Sequence, residues 1–227
     1  MKKILIVLFF AAFNLFAQEF TVEKVSGEVQ AMIGTSEEWI KVKVGQKLSG
    51  SDLIATNEKA FIQLASQGNK FILQSNSALG LSAIKKITLN ELLLALAMEE
   101  IRNVPKTNGG QSTRNTAVYG KEVAANKVNI TPMRDLGFKK LNGAKQLAQS
   151  GYKESAIIVA KETFRKYPET KSKFEDRLYF VDLMLQLNLN NEAAAELNPM
   201  RSMQLNVNQI NEIDSRLKKI NEKEISR

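Results

Sequence analysis

The chain has no cysteine and no histidine. Without cysteine there are no disulfides, no thiol nucleophile and no thiolate metal site. Without histidine, the commonest general base and the commonest metal ligand are both missing. Any enzyme built on this chain has to work with carboxylates, Lys, Tyr or Ser alone. No apolar run approaches the roughly twenty residues that a membrane-spanning helix needs. No basic run interleaved with aromatics marks a nucleic-acid face. The acidic residues lack a calcium-loop spacing, and no nucleotide-binding pattern is present. The sequence therefore points to no catalytic, cofactor or metal site.

What is present begins with a tripartite export signal. Lys2 and Lys3 are followed by the apolar stretch Ile4–Phe13, with Ala17 as a small residue before Gln18. Residues 1–17 are expected to be a cleaved signal peptide, placing the mature chain in the periplasm or otherwise outside the cytoplasm. Leu15 departs from the small-residue pattern before the cut, so retention as an uncleaved anchor is the alternative. After cleavage 210 residues remain, with 30 basic and 24 acidic side chains, and no transmembrane span is expected. That length suits two small domains. The positive surplus is dispersed, apart from residues 88–103, which carry a net −2.

From Phe20 to Leu81 short alternating segments are separated by turn residues. Residues 28–33, Trp39–Val44, Ala60–Leu64 and Phe71–Leu73 read as strands, with Ile40, Val42 and Val44 on one face. The breaks at Gly34-Thr35-Ser36, Gly45, Gly50-Ser51 and Gly68-Asn69 are turns. Asp52 is expected to fix its turn by accepting backbone N–H groups, and Trp39 to cover a sheet face. Thr88-Leu89-Asn90-Glu91 is a capping box, so a helix should start near residue 89 and stop before Pro105. Leu92–Met98 is apolar all round, which predicts a helix buried against the sheet or a partner. Residues 105–131, with Asn108-Gly109-Gly110-Gln111-Ser112-Thr113, read as a flexible linker.

The order Val25-Ser26-Gly27-Glu28-Val29, Trp39, Gly45-Gln46-Lys47-Leu48, Ser51-Asp52-Leu53-Ile54-Ala55-Thr56, Gly68 and Ser77-Ala78-Leu79 resembles the FecR-like domain over about sixty residues. That family is an all-β periplasmic module first known from iron-citrate signalling regulators. This chain departs from it at Ser51, which displaces Gly50 from the Asp, and at Gln67, where the family often has Asp. Thr116-Ala117-Val118-Tyr119-Gly120 is a faint echo of the family's trailing stretch. The resemblance implies a fold and a compartment more than an activity.

From residue 132 the pattern is helical. Ala144, Leu147, Gly151-Tyr152, Ala156, Ala160, Phe164 and Tyr167-Pro168 resemble a tetratricopeptide repeat. A second unit (Phe174, Leu178, Val181, Leu185, then Ala193–Leu197) departs from the pattern at Pro199, which should shorten or kink its second helix. Val207, Ile210, Ile213, Leu217 and Ile220 read as a capping helix. The resemblance implies a peptide-binding groove lined by Leu141, Lys145, Gln149, Glu175, Asp182 and Gln186.

Two catalytic patterns fall on inspection. Ser82-Ala83-Ile84-Lys85 matches the Ser-x-x-Lys motif of penicillin-binding enzymes, but no Ser-Asp-Asn or Lys-Thr-Gly partner accompanies it. Glu28, Glu37, Glu38 and Asp52 offer carboxylates for glycan hydrolysis, and nothing in the sequence pairs them.

The expected architecture is α+β: an N-terminal all-β FecR-like sandwich or roll (18–87), a connecting helix (88–104), a linker (105–131), and a separate C-terminal all-α tetratricopeptide-like stack (132–227). The expected function is that of an exported, non-catalytic envelope scaffold, without cofactors. Its partner would be an envelope protein or peptide, or a cell-wall polymer, and not nucleic acid. The alternatives are a FecR-type signalling component anchored at the inner membrane and a carboxylate-based glycan-acting enzyme.

Overall fold

The computed structural model describes residues 18–36, 38–103 and 135–225. The export signal and the expected linker at 105–131 lie outside the described residues. Those described form two antiparallel sheets followed by six helices. The first sheet orders its strands β4-β1-β6-β7: Lys47–Ser49, Glu19–Ser26, Phe61–Ser66 and Asn69–Leu73. The second has the order β3-β2-β5-β8: Trp39–Lys41, Val29–Met32, Leu53–Thr56 and Ala78–Gly80. Alternation decides which face is buried. Phe20, Val22, Ile62, Leu64, Phe71 and Leu73 enter the core from the first sheet; Val29, Ala31, Ile54 and Leu79 enter it from the second. Each large aliphatic or aromatic side chain buried this way contributes roughly 1.5–3 kcal/mol. The β1–β6 register shifts between Val22 and Lys24, a bulge that re-aims the second half of the long strand.

One stretch departs from expectation. The strand at Trp39–Val44 stops at Lys41, Ile40 and Val44 are exposed, and Val42 alone of the three is buried. β3 lies at the edge of its sheet, with a partner on one side. Ile40 is exposed within β3 itself, and past the end of the strand the Val42 N–H still donates to the Val29 carbonyl at 3.0 Å. Gly27, between β1 and β2, has φ +71°, and a Cβ there would come within 2.8 Å of the Ala60 Cα. Both the left-handed backbone and the close approach require glycine.

Helix α1 (Leu89–Asn103) begins at the predicted capping box. The Glu91 N–H donates to Thr88 Oγ1 at 3.2 Å, and the Thr88 N–H donates to Glu91 Oε2 at 2.7 Å. Then come α2 (Leu136–Gln149), α3 (Lys153–Lys166), α4 (Phe174–Gln186), α5 (Asn190–Met200) and α6 (Val207–Ile225). Gly151, at φ +89°, closes the α2–α3 turn. α5 ends one residue after Pro199, so this helix is short. Ile213 and Ile220 of α6 are buried, whereas Val207 and Ile210 are exposed.

The helical half is not a separate body on a tether, as the sequence reading expected. One continuous cluster of buried apolar side chains runs from the sheets through α1 into the helices. α2 lies against β8, the edge strand of the second sheet, so closely that a Cβ on Gly143 would sit 2.2 Å from the Ala78 carbonyl oxygen. Covering the strand this way removes a free edge. Polar groups complete the joint. The Gln74 N–H donates to Gln146 Oε1 at 2.6 Å, Gln146 Nε2 donates to Ser77 Oγ at 2.6 Å, and Asn142 Nδ2 donates to the Asn76 carbonyl at 2.8 Å. Ser155 Oγ donates to the Lys85 carbonyl at 2.7 Å. The small residues of α2 serve the sheet as well as the neighbouring helix, and the described residues share one core.

Candidate functional site

The carboxylates singled out for catalysis are occupied or apart. Asp52 is 2% exposed, and both its oxygens accept backbone N–H groups, from Gly34 at 2.8 Å and from Ser49 at 2.8 Å. It fixes its own turn, as expected, and ties down the 34–36 turn as well. Glu28 is exposed and accepts from Gln30 Nε2, Glu38 is exposed, and Glu37 lies outside the described residues. Ser82 lies within the 3-10 turn at Leu81–Ala83, and Lys85 follows it. Ser82 lines a cleft of about 360 Å³ between β8 and helices α2 and α3, while Lys85 lines a different one. Ser-x-x-Lys chemistry needs both groups in one site.

The 360 Å³ cleft also takes in Asp52, Lys140 and Glu162. Burial holds the Lys140 ammonium below the usual lysine range, against the opposing pull of Glu162. Burial alone would raise Glu162, but its hydrogen bond to Lys166 and the surrounding cations outweigh that and hold it low. Glu162 is thus an ionised partner of Lys166, and Asp52 is committed to its two backbone donors.

Of the six residues expected to line a groove, Gln149, Glu175 and Gln186 are exposed, Lys145 and Asp182 are half-buried and Leu141 is buried. Leu141 is fully buried in the core, a correction to its place in the groove: its side of α2 packs inward. Lys145 donates to Asp176 of α4 and stands 5.8 Å over the Tyr179 ring, so it joins α2 to α4. Glu175 accepts from Gln209 of α6 at 3.4 Å. Asp182 takes a two-pronged bond from Arg216 of α6, at 2.7 and 2.9 Å. Gln186 accepts from Lys153 at 2.9 Å. Gln149 is exposed at the end of α2. The chain's own α6 thus engages the side of α4 that the groove was to present, and what the sequence offered as groove chemistry holds helices together.

Two other features stand open. The first is the outer face of α1. Leu92 and Leu96 are buried, and the nearly buried Glu99 receives Arg165 of α3 at 2.6 Å and Arg102 at 3.0 Å. At about 100° per residue, Leu94, Ala97, Met98 and Ile101 fall on the opposite face. Leu94 is 64% and Ile101 72% exposed. Apolar periodicity could not choose which side of so uniformly apolar a helix would stay open. Glu99, the acid aligned with Leu92 and Leu96, is the signal that marks the packed side.

The second is the cleft that holds Lys85. It encloses about 430 Å³ where the ends of β1, β6 and β7 meet the segment before α1 and the α2–α3 turn. Lys70, Lys85, Lys86 and Tyr152 reach its wall, and no acidic side chain lines it. These residues come from distant parts of the chain, and the Lys85-Lys86 pair was the one local cue in the sequence. Among the described residues no group of His, Cys, Asp or Glu is placed to hold a metal ion, and no helix is long and apolar enough to cross a membrane.

Comparison with known proteins returned no matching family model, no matching curated protein and no matching solved structure.

Proposed function

We propose that this chain is an exported, non-catalytic scaffold of the cell envelope, a FecR-like β body joined to tetratricopeptide-like helices, which docks a protein partner on the outer face of α1. The observation that carries this reading is the exposed apolar stripe of Leu94, Ala97, Met98 and Ile101 on a helix whose other face is anchored by Leu92, Leu96 and the Glu99–Arg165 ion pair. An apolar stripe held rigidly in water costs free energy unless something covers it. The sequence from 88 to 103 carries net −2 within a chain of net +8. With Glu99 buried against Arg165 and Arg102, Glu91 and Glu100 are the exposed acids along this helix, and a partner segment carrying basic residues complements them. The occupant that fits is an amphipathic helix of another protein with basic flanks, laid along the stripe.

The reading rests also on how the ionisable side chains are used. Asp52, Glu99, Asp176, Asp182 and Glu196 are engaged in turn and interhelical bonds. N-terminal sequencing tests the export part, with a mature start at Gln18 expected. The docking part is tested by Leu94→Glu/Ile101→Glu. Both sites are solvent-facing, so the melting temperature should stay within a few degrees while co-purification of the partner falls at least tenfold. Undiminished recovery from the double variant would refute the α1 site.

A further inference from the structure

The 430 Å³ cleft is a built concavity with one sign of charge. Lys70 comes from β7, Lys85 and Lys86 from the segment before α1, and all three residues line the cleft, which no acidic residue lines. Lys70 pairs with Glu23 at 3.0 Å and the Lys85 charge helps hold Glu91 low, and neither carboxylate lines the cleft. Cations gathered in a concave wall focus a positive potential into it, and an anion entering relieves their mutual repulsion.

The remaining lining says what the anion should be attached to. Gln67 and Asn69 supply exposed carboxamides able to donate and to accept, and Gln18, whose Nε2 donates to the Ile84 carbonyl at 3.1 Å, adds a carboxamide oxygen; that is the pairing that sugar hydroxyls require. Tyr152 offers a half-buried ring, held edge-on to Phe71 with ring centroids 6.5 Å apart. Phe20 and Phe71 are almost wholly covered, so Tyr152 is the aromatic residue that a ligand in the cleft can reach. The volume falls in the range of small-ligand sites, roughly 300–1,000 Å³. We infer that this cleft binds an acidic saccharide unit, with its carboxylate or phosphate on Lys85 and Lys86 and its hydroxyls on the carboxamides. This site uses none of the α1 stripe, and either assignment can fail without the other.

Titration calorimetry of the purified chain at low ionic strength tests it, with glucuronate, glucose 6-phosphate, glucose and inorganic phosphate as probes. At least one acidic sugar should bind tenfold or more tightly than both glucose and phosphate. Preference between glucuronate and glucose 6-phosphate then separates a uronic acid from a phosphorylated sugar as the source. Lys85→Gln/Lys86→Gln should weaken that binding at least tenfold. Amide shifts at Gln67, Asn69 and Lys85 on titrating the unaltered chain locate the site independently of any variant. Equal binding of glucose or of phosphate, an unaffected double variant, shifts confined to other residues, or no binding of either acidic sugar would each overturn the assignment.

Discussion

Asp52 shows how one short side chain holds a turn-rich body together. Its two oxygens satisfy N–H groups from turns fifteen residues apart in sequence, Gly34 and Ser49, in a place that water scarcely reaches. Hydrogen bonds to a charged acceptor are worth roughly 1.5–3 kcal/mol each, and Asp52→Ala leaves two donors without a partner. A loss of about 3 kcal/mol in urea-unfolding free energy is expected. The local half of this role was legible, because Asp at a turn accepts nearby N–H groups; the bond to Gly34 depends on tertiary folding and was not. Glu196 provides the pH test. Burial pushes its pKa up, but Lys161 and Arg177 more than offset this and hold it below the ordinary glutamate value. Its stabilisation is therefore complete above the unfolded pKa, about 4.3, and is lost as pH falls through the lower folded value. Glu196→Gln should cost about 3 kcal/mol at pH 7 by stranding both cations. Thermal melts from pH 7 down to pH 2.5 should show the two proteins converging in the acid range.

At the scale of elements, the sequence was most readable where local chemistry decides. The α1 capping box, the Gly151 turn and the stop after Pro199 are all set by residues within a turn of one another. It was least readable where an element's environment is supplied from far away. Trp39–Val44 alternates correctly, yet half of it leaves the sheet. Glu175 and Asp182 suited an open groove until α6 folded back with Gln209 and Arg216. Gly143 makes the same point physically, since its missing Cβ is what lets α2 rest on the β8 backbone. Gly143→Ala should destabilise by about 1–3 kcal/mol through overpacking. It should also speed hydrogen exchange at the Gln74 amide, whose acceptor is Gln146 on the same helix. An unchanged Gln74 rate would mean that α2 and the sheet tolerate separation.

For the whole molecule, the joint between sheets and helices matters more than the two resemblances that suggested separate modules. A shared core and a set of polar bonds across the joint hold the sheets and helices as one body, on which the α1 stripe is presented as a ridge. Holding the stripe in place lowers the ordering cost of binding, so a modest apolar face can serve as a docking site. The central claim is that this ridge is covered by a basic amphipathic segment of another envelope protein. The most direct measurement is photo-crosslinking in living cells from a reactive residue at position 98, followed by sequencing of the attached peptide. The account predicts one recurring basic, amphipathic peptide from another protein, lost when Glu100→Lys and Leu94→Glu are introduced together. Attachment to a second copy of this chain, or to no protein at all, would contradict it.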